Sequence, residues 1–420
     1  MNIFLKAQND SLSKEEIIDA LKKSIEGKKL KKVLIIPPDF TRYYSNAGLI
    51  TNYYYHALSQ NCAVEVMPAL GTHQAMTKDE CLKMYGDIPY EKFIYHNWRE
   101  DVEKIGEVPA DYVSKITAGL WQKEVILEVN KRIMDPSFDL IISIGQVVPH
   151  EVIGMANHSK NIFVGCGGKK IIDASHAIGA FYGMEKMMGK DHTPVRQIFD
   201  YGCEHFLNKR PILYVLTVCT NPSNVIKTHG LFIGSDRKVL EEAISLAQEK
   251  NITFLEKGIK KCVVYLEPNE FKSTWLANKA IYRTRMVLVD GGSLIILAPG
   301  VNKFGEDQEI DRIIRKYGYI GKEKLINLYK DNIDLMGNMG ALAHLIHGSS
   351  DDRFEITYCV KQIDKDEIKK VNYQALDYDE AIKIYNPNSL KYGYNTLENG
   401  EIIYYIPNPA LGLWINKEKF

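Results

Sequence analysis

Apolar runs, each followed by polar residues and then by a helix-like stretch, constrain this chain more than any other feature. Four runs are predicted as buried strands: KKVLIIPP at 31–38, CAVEVMPAL at 62–70, EKFIYHNW at 91–98 and FDLIISIG at 138–145. Helix-like stretches, such as residues 46–59, lie between them. This alternation is typical of a parallel sheet with crossover helices. The sequence therefore predicts an α/β fold with a Rossmann-like parallel sheet in its N-terminal domain.

The length of the chain predicts two domains. Its 420 residues are too many for one hydrophobic core. After a predicted helix at 236–250, the run KCVVYLEP at 261–268 opens a second series of strands and helices. We therefore predict an N-terminal domain over residues 1–255 and a smaller α/β C-terminal domain over residues 256–394, with the active site between them. The apolar C-terminal segment, residues 395–420, is predicted to pack back on the first domain.

Composition excludes several classes of partner. The chain has 53 basic and 53 acidic residues, so a nucleic acid or a membrane surface is not expected as a partner, and a small molecule is. It contains no apolar stretch of about 18 residues that would span a membrane, and its N-terminus lacks the apolar run of a signal peptide. Seven cysteines without paired spacing predict reduced thiols in the cytoplasm. A homo-oligomer is left open.

Polar residues follow two of the predicted strands directly. The first strand leads into Asp39, Thr41 and Arg42, and the second leads into His73. A guanidinium grips a carboxylate at two points, and an imidazole is suited to general acid–base work. A structural salt bridge at Asp39 and a hydrogen-bonded structural histidine are the alternatives. Since parallel strands end at one edge of a sheet, we expect these side chains to meet in one site.

The stretch from Pro149 to Gly179 follows the fourth strand and is predicted to form the floor of that site. It contains His150, Lys160, His176 and three glycines, Gly165, Gly167 and Gly168, that are predicted to cradle a cofactor. A lysine here is suited to covalent attachment, although most lysines are merely solvated. His176 is suited to bind a metal, but one histidine is too few for a zinc site, so any metal needs further donors from a cofactor.

The order of these motifs resembles the lactate racemase family, whose members use a nickel-pincer nucleotide. The DFTR at 39–42 is similar to the family's DxTR, and Gly71-Thr72-His73 is similar to its GTH. Pro149-His150 matches the family's PH after the central strand. Lys160 and His176 follow His150 at the family's spacing of ten and twenty-six residues. Each motif is short, but their order and spacing together are specific.

The resemblance implies a role for each matching residue. Lys160 would hold the nickel-pincer nucleotide covalently, with Thr41 among the cofactor-binding residues, and His176 would complete the coordination of the nickel. His73 and His150 would be the acid/base pair. Arg42 and Lys279 would bind the substrate carboxylate, and Asp39 would support the cofactor or the arginine. Lys279 is expected on an exposed helical face of the second domain.

The sequence departs from the family where the pocket wall is expected. MANHSK at 155–160 replaces a serine-glycine-glycine segment before the lysine, and Trp275 and Leu276 replace a tyrosine-glutamine pair before Lys279. Tyr43 replaces the proline that follows the arginine. The resemblance implies racemisation or epimerisation of a 2-hydroxy carboxylic acid by hydride transfer, and these changes make a longer acid or a sugar acid at least as good a candidate substrate as lactate. Two alternatives stay open: a zinc-dependent hydrolase, and a non-catalytic protein that binds a cofactor or a small molecule on the same scaffold.

Overall fold

The computed structural model describes residues 2–222 and 225–420. The chain forms two compact units, one of Met1–Ile178 with Lys186–Asn251 and the other of Gly179–Glu185 with Ile252–Phe420. The main division falls between residues 251 and 252, a few residues before the predicted boundary. The short segment Gly179–Glu185 belongs to the second unit although it interrupts the first in sequence.

The strands of the first unit are β1 (Ile3–Lys6), β2 (Lys32–Ile36), β3 (Ala63–Val66), β4 (Val102–Val108), β5 (Val125–Asn130), β6 (Leu140–Gln146), β7 (Pro149–His150), β8 (Gly154–Met155), β9 (Ile212–Thr220) and β10 (Lys227–Gly234). Those of the second are β11 (Ile252–Leu255), β12 (Ile259–Tyr265), β13 (Leu288–Ala298), β14 (Phe354–Val360), β15 (Gln374–Asp377), β16 (Gly393–Thr396), β17 (Ile402–Ile406) and β18 (Leu413–Asn416).

The helices, in chain order, are α1 (Lys14–Ile25), α2 (Ala47–Ser59), α3 (Lys78–Tyr85), α4 (Ala110–Ile116), α5 (Lys131–Met134), α6 (Lys169–Tyr182), α7 (Met184–Met187), α8 (Pro194–Gly202), α9 (Arg237–Asn251), α10 (Thr274–Ala277), α11 (Lys279–Thr284), α12 (Gln308–Tyr317), α13 (Lys322–Tyr329), α14 (Ile333–Gly337), α15 (Met339–Gly348), α16 (Lys365–Lys370) and α17 (Tyr378–Ile384). At the start of α1, Ser13 and Glu16 form a capping box.

The main sheet of the first unit has the order β1-β10-β9-β6-β2-β3. Its strands β3, β2, β6 and β9 are parallel, as the alternation of strands and helices predicted. Strand β10 runs antiparallel to both of its neighbours, β9 and β1, so the sheet is mixed. Neither β10 nor β1 was predicted. Every residue of β6 is buried, which explains its continuous apolar sequence.

Hydrophobic cores cover both faces of this sheet. Successive side chains of a strand point to opposite faces, so Leu34 and Ile36 belong to one core and Val33 and Ile35 to the other. Helices α6, α8 and α9 pack on the first face, and α1, α2 and α3 pack on the second. The sheet is therefore a rigid platform, and its strand ends carry the predicted site residues.

The predicted strand at 91–98 was wrong. Only Phe93 pairs with the sheet, in a single bridge to Val66, after a 3-10 turn over Tyr90–Lys92. The chain then turns away, because His96 is fully buried and hydrogen-bonded elsewhere: Nε2 donates to the Gly167 carbonyl at 3.1 Å, and Nδ1 accepts from Asn130 at 3.0 Å. Two adjacent apolar residues do not suffice for a strand when the residues beyond them are fixed by long-range contacts.

The second unit contains a sheet of order β15-β14-β13-β12-β17-β16. Its strands are parallel except β16, which runs antiparallel to β17 at one edge. A separate two-stranded ribbon joins β11 to β18. The α/β class predicted for the second domain is confirmed.

The predicted placement of residues 395–420 is corrected by this pairing. Strand β17 completes the second sheet beside β12, and β18 pairs with β11, which also belongs to the second unit. The buried residues of β17 thus satisfy their backbone hydrogen bonds within the second sheet, and the segment belongs to the second unit.

Among the described residues, no helix is both long enough and apolar enough to cross a membrane.

Candidate active site

The predicted residues after β2 and β3 form one hydrogen-bonded chain. Asp39 precedes a 3-10 turn over Phe40–Ser45 and is 5% exposed. Its Oδ1 accepts from the Thr41 hydroxyl at 2.6 Å, and Thr41 Oγ1 accepts from the Arg42 guanidinium. Its Oδ2 lies 2.5 Å from Nδ1 of His73. One buried carboxylate therefore orients the threonine, the arginine and the histidine.

Asp39 is ionised in this setting. Burial by itself would raise its pKa, but the charge and hydrogen bond of His73, the charge of Arg42 and the hydrogen bond of Thr41 outweigh burial and hold the pKa well below its ordinary value. Since an ionised carboxylate only accepts, His73 donates through Nδ1–H. In the neutral ring, the lone pair is therefore on Nε2.

His150 lies in the short strand β7 and is 8% exposed. Its Nδ1 accepts the backbone N–H of Val152 at 3.1 Å. A carboxylate oxygen of Glu151 lies 4.0 Å from the same nitrogen. In the neutral ring the proton is therefore on Nε2, which is the opposite arrangement to that of His73.

Lys160 is half-buried at the start of a π-turn over Asn161–Gly165. The Asn161 side chain anchors this turn to the sheet, donating to the Ile36 carbonyl at 3.3 Å and to Ser143 Oγ at 3.0 Å. Burial, and secondly the charge of Arg42, lower the pKa of Lys160 to about 8, although Glu151 and Asp39 oppose them. A substantial neutral fraction near neutral pH makes this amine an effective nucleophile.

The segment before Lys160 is held by a buried arginine of α8. Asn157 and His158 have φ angles of 69° and 57°, in the left-handed region that costs non-glycine residues energy. Arg196 donates to the Met155 carbonyl at 2.6 Å, to the Asn157 carbonyl at 3.3 Å and to Ser159 Oγ at 2.7 Å. These bonds stabilise the bend that delivers Lys160 to the strand end.

His176 lies on α6, where one ring nitrogen is already engaged. Its Nδ1 is 2.7 Å from the carbonyl oxygen of Ile172, which only accepts, so Nδ1 carries the proton. Nε2 then presents its lone pair. Burial lowers the pKa of His176, which keeps the ring neutral, and a neutral ring with its second N–H bound to a carbonyl is the usual form of a metal-binding histidine.

The three glycines predicted to cradle a cofactor are packed against the protein itself. A Cβ added at Gly167 would lie 1.8 Å from the Phe163 carbonyl oxygen. One at Gly168 would lie 2.4 Å from Glu128 Oε2, and one at Gly165 would lie 2.7 Å from Ala69 Cβ. Close packing thus accounts for their small size, and contact with a cofactor stays a prediction.

Lys279 begins α11 in the second unit. It is half-buried rather than exposed, and its Nζ lies 5.6 Å from the centre of the Phe271 ring. Trp275, on the preceding turn, stacks against His344 with ring centres 4.5 Å apart.

The predicted residues of the first unit share one electrostatic neighbourhood. Asp39, Thr41, Arg42 and His73 are linked by hydrogen bonds, the charges of Asp39 and Arg42 reach Lys160, and the charge of Lys160 reaches His176. In the described ranges, no three histidine, cysteine, aspartate or glutamate side chains are grouped to hold a metal ion. A metal at His176 would therefore need donors from another molecule.

Sequence reasoning missed several residues that build this site: Glu151, Asn161 and Arg196. Glu151 was detectable as the acidic neighbour of His150. Asn161 and Arg196 gave no local signal, because their partners lie far away in the chain. Two further buried histidines, His96 and His158, have contacts away from these residues: both ring nitrogens of His96 are hydrogen-bonded within the core, and His158 stacks on Tyr214 with ring centres 3.7 Å apart.

Comparison with known proteins extends the motif-based resemblance. Residues 4–189 match the family described as the lactate racemase N-terminal domain. The chain matches no curated protein.

Two solved structures have a similar fold. A Thermotoga maritima protein solved by the Northeast Structural Genomics Consortium is 24% identical, with a TM-score of 0.82 over 98% of this chain and 100% of its own. The lactate racemase apoprotein from Thermoanaerobacterium thermosaccharolyticum is 19% identical, with a TM-score of 0.70 over 96% of this chain and 93% of its own. At these identities the likeness establishes the fold. The match over residues 4–189 confirms the resemblance to the lactate racemase family that the motifs predicted.

Proposed function

We propose that this protein racemises or epimerises a 2-hydroxy carboxylic acid and that it works with a nickel-pincer nucleotide. The observation that carries the proposal is the buried Asp39, which orients both His73 and, through Thr41, Arg42. An acid/base group and a carboxylate-binding group are thereby fixed beside each other at the end of one sheet.

The residues present fit such a cofactor. Lys160 supplies an amine whose pKa of about 8 suits a covalent bond near neutral pH. His176 supplies one nitrogen lone pair, directed by the bond from Nδ1 to Ile172. Because His176 is a single protein donor, it suits a metal whose remaining ligands arrive with the cofactor.

The chemistry of a 2-hydroxy acid explains why a hydride carrier is needed. Its α C–H is poorly acidic, because the neighbouring carboxylate resists further negative charge. When bound, the cofactor would supply a hydride acceptor that returns the hydride to either face of the planar keto acid. The protein then has two tasks, which are to hold the substrate and to move the hydroxyl proton.

The arginine would hold the substrate. The Arg42 guanidinium is suited to grip a carboxylate through two parallel N–H groups, and its bond to Thr41 limits its rotation. A fixed carboxylate places the hydroxyl-bearing carbon at a constant distance from the strand end, which lowers the entropic part of the barrier.

Two histidines would move the proton. His73 takes the hydroxyl proton at Nε2 while Asp39 holds Nδ1–H, and the resulting imidazolium is stabilised by the ionised carboxylate. His150 performs the same exchange for the opposite enantiomer, whose hydroxyl ends in a different place. Two bases are thus required for racemisation.

Other assignments of the proposal rest on the family resemblance. Lys279 is proposed as a second carboxylate contact, and the departures at Tyr43, Trp275 and Leu276 make a longer acid or a sugar acid a candidate substrate beside lactate. The cytoplasm is the proposed location.

The decisive experiment is to produce the protein together with the enzymes that build the cofactor and to measure its intact mass and nickel content. We expect a mass gain with about one nickel per chain. Lys160→Ala should lose both, whereas the matched control Lys170→Ala, on the exposed start of α6, should keep both. His176→Ala should keep the mass gain and lose nickel.

A screen of 2-hydroxy acids then identifies the substrate by interconversion of its enantiomers or epimers. A loaded protein that leaves every acid unchanged would be a cofactor-binding protein, which would reject the catalytic proposal. Absence of both adduct and nickel would reject the cofactor.

A further inference from the structure

We propose that Glu151 is the positioning residue of His150 and accepts its Nδ1–H in the working form of the ring, as Asp39 does for His73. The inference rests on the function proposed above, because it assumes that both histidines exchange a proton at Nε2. It adds a residue that the family motifs do not contain.

The resting hydrogen bonds of His150 do not suit proton exchange at Nε2. Nδ1 accepts the Val152 N–H at 3.1 Å, so the neutral ring already has a proton on Nε2. To accept a proton at Nε2, the ring must first have its own proton on Nδ1. To donate a proton from Nε2 and end as a neutral ring, the imidazolium must likewise keep its proton on Nδ1.

A proton on Nδ1 requires an acceptor in place of the Val152 N–H, since two donors facing each other repel. Glu151 offers one: its Oε2 lies 4.0 Å from Nδ1, so a movement of little more than 1 Å brings the pair to hydrogen-bonding distance. The side chains of His150 and Glu151 are 11% and 21% exposed. Partial burial strengthens the attraction between a carboxylate and an imidazolium.

The surroundings of Glu151 place its carboxylate within the site. Its charge reaches both Lys160 and His176, where it raises each pKa against the effect of burial. Arg42, Asp39 and Arg196 are other charged groups that act on Lys160. Glu151 therefore lies among the groups proposed to work together, and not on a remote surface.

The first test follows the ring nitrogens of His150 in the full chain without cofactor. Protein with 15N-labelled histidine is titrated, and nitrogen chemical shifts report which ring nitrogens carry protons. His150→Gln identifies the signal. We expect the midpoint of the His150 titration to fall to lower pH in Glu151→Gln, because the carboxylate no longer stabilises the imidazolium.

The second test uses the cofactor-loaded enzyme. Glu151→Gln should lower kcat by about 10- to 100-fold, within the range that one acid–base group contributes, and should change KM little. Glu151→Asp, which keeps the charge on a shorter arm, should recover part of the loss. A thermal midpoint equal to that of the unmodified protein establishes that the glutamine variant is folded.

Superimposable His150 titrations in Glu151→Gln and the unmodified protein would overturn the proposal, whatever the activity. A shifted midpoint in a protein that racemises no acid would leave the Glu151–His150 pair supported and would reject only the proposed function. The two hypotheses thus fail separately.

Discussion

Histidines occur in both units, but they differ in which ring nitrogens form hydrogen bonds with the protein. In the second unit, His344 uses both ring nitrogens: Nδ1 lies 2.8 Å from the Tyr282 hydroxyl and Nε2 lies 2.8 Å from that of Tyr319. In the first unit, Nδ1 of His73, His150 and His176 bonds to a carboxylate, a backbone N–H and a backbone carbonyl respectively, so the protein sets the tautomer of each ring.

The tyrosines around His344 complete its closed network. Asn278 Oδ1 accepts from the Tyr358 and Tyr373 hydroxyls at 2.6 and 3.2 Å. Burial raises the pKa of Tyr319, Tyr358 and Tyr373, so these hydroxyls stay protonated and serve as donors. Polar residues in a buried cluster therefore do not indicate a site by themselves. A better indication of a site is a histidine whose tautomer is set by a contact of the protein with Nδ1.

Removing the Asp39 carboxylate, in the first unit, should produce the largest difference in kcat between variants of the two units. Asp39→Asn is expected to reduce kcat by about 10⁴-fold, the scale seen when a histidine loses its carboxylate partner, while the fold is retained. In the second unit, Tyr319→Phe should leave kcat within about twofold but lower the free energy of unfolding by about 1–2 kcal/mol, because His344 loses a partner. Racemase assays and denaturant titration of both variants test the contrast. Comparable kcat losses would show that the two networks are not distinct in function.

Substitutions in the glycine-rich segment of the first unit should lower stability, because the glycines are closely packed. Gly167→Ala is expected to lower the free energy of unfolding of the cofactor-free protein by about 3 kcal/mol, since the added methyl meets the Phe163 backbone. Gly340→Ala in α15 is the matched control: the nearest atom is Asn338 Oδ1 at 3.8 Å, and the change should stabilise the protein by about 0.5 kcal/mol. A stable Gly167→Ala variant that cannot bind cofactor would instead favour the predicted cradle.

The smallest expected effect concerns the pH dependence of Lys160. Its neutral fraction increases as pH rises through its pKa of about 8, so labelling by an amine-reactive reagent should have its midpoint there, and not near the ordinary value of 10.5. In Arg42→Gln the midpoint should move to higher pH, because a cation that disfavours the protonated amine has been removed. Peptide mass spectrometry measures the labelling. An unchanged midpoint would show that the charge of Arg42 does not lower the pKa of Lys160.

Local sequence predicted much of the fold, and the exceptions share a cause. The apolar runs at β2 and β6 are long enough to specify buried strands, and their alternating faces follow from strand geometry. The strand prediction at 91–98 was wrong because only Phe93 pairs with the sheet, while His96 is hydrogen-bonded to the Gly167 carbonyl. Strands β10 and β1 were missed, and the last strands were assigned to the wrong unit, because pairing depends on partners that are distant in sequence.

By itself, the sequence determined which reactive groups the chain contains, their order, and their positions at the ends of strands. That was sufficient to predict Asp39, Arg42, His73, Lys160 and His176 and the family they resemble. The tertiary structure alone decided which nitrogen of each histidine is engaged, how far the pKa of Lys160 is lowered, and that the Glu151 carboxylate lies 4.0 Å from Nδ1 of His150. The reason is physical: burial and hydrogen bonding depend on groups as far apart as Asp39 and His73, which are 34 residues from each other in the chain.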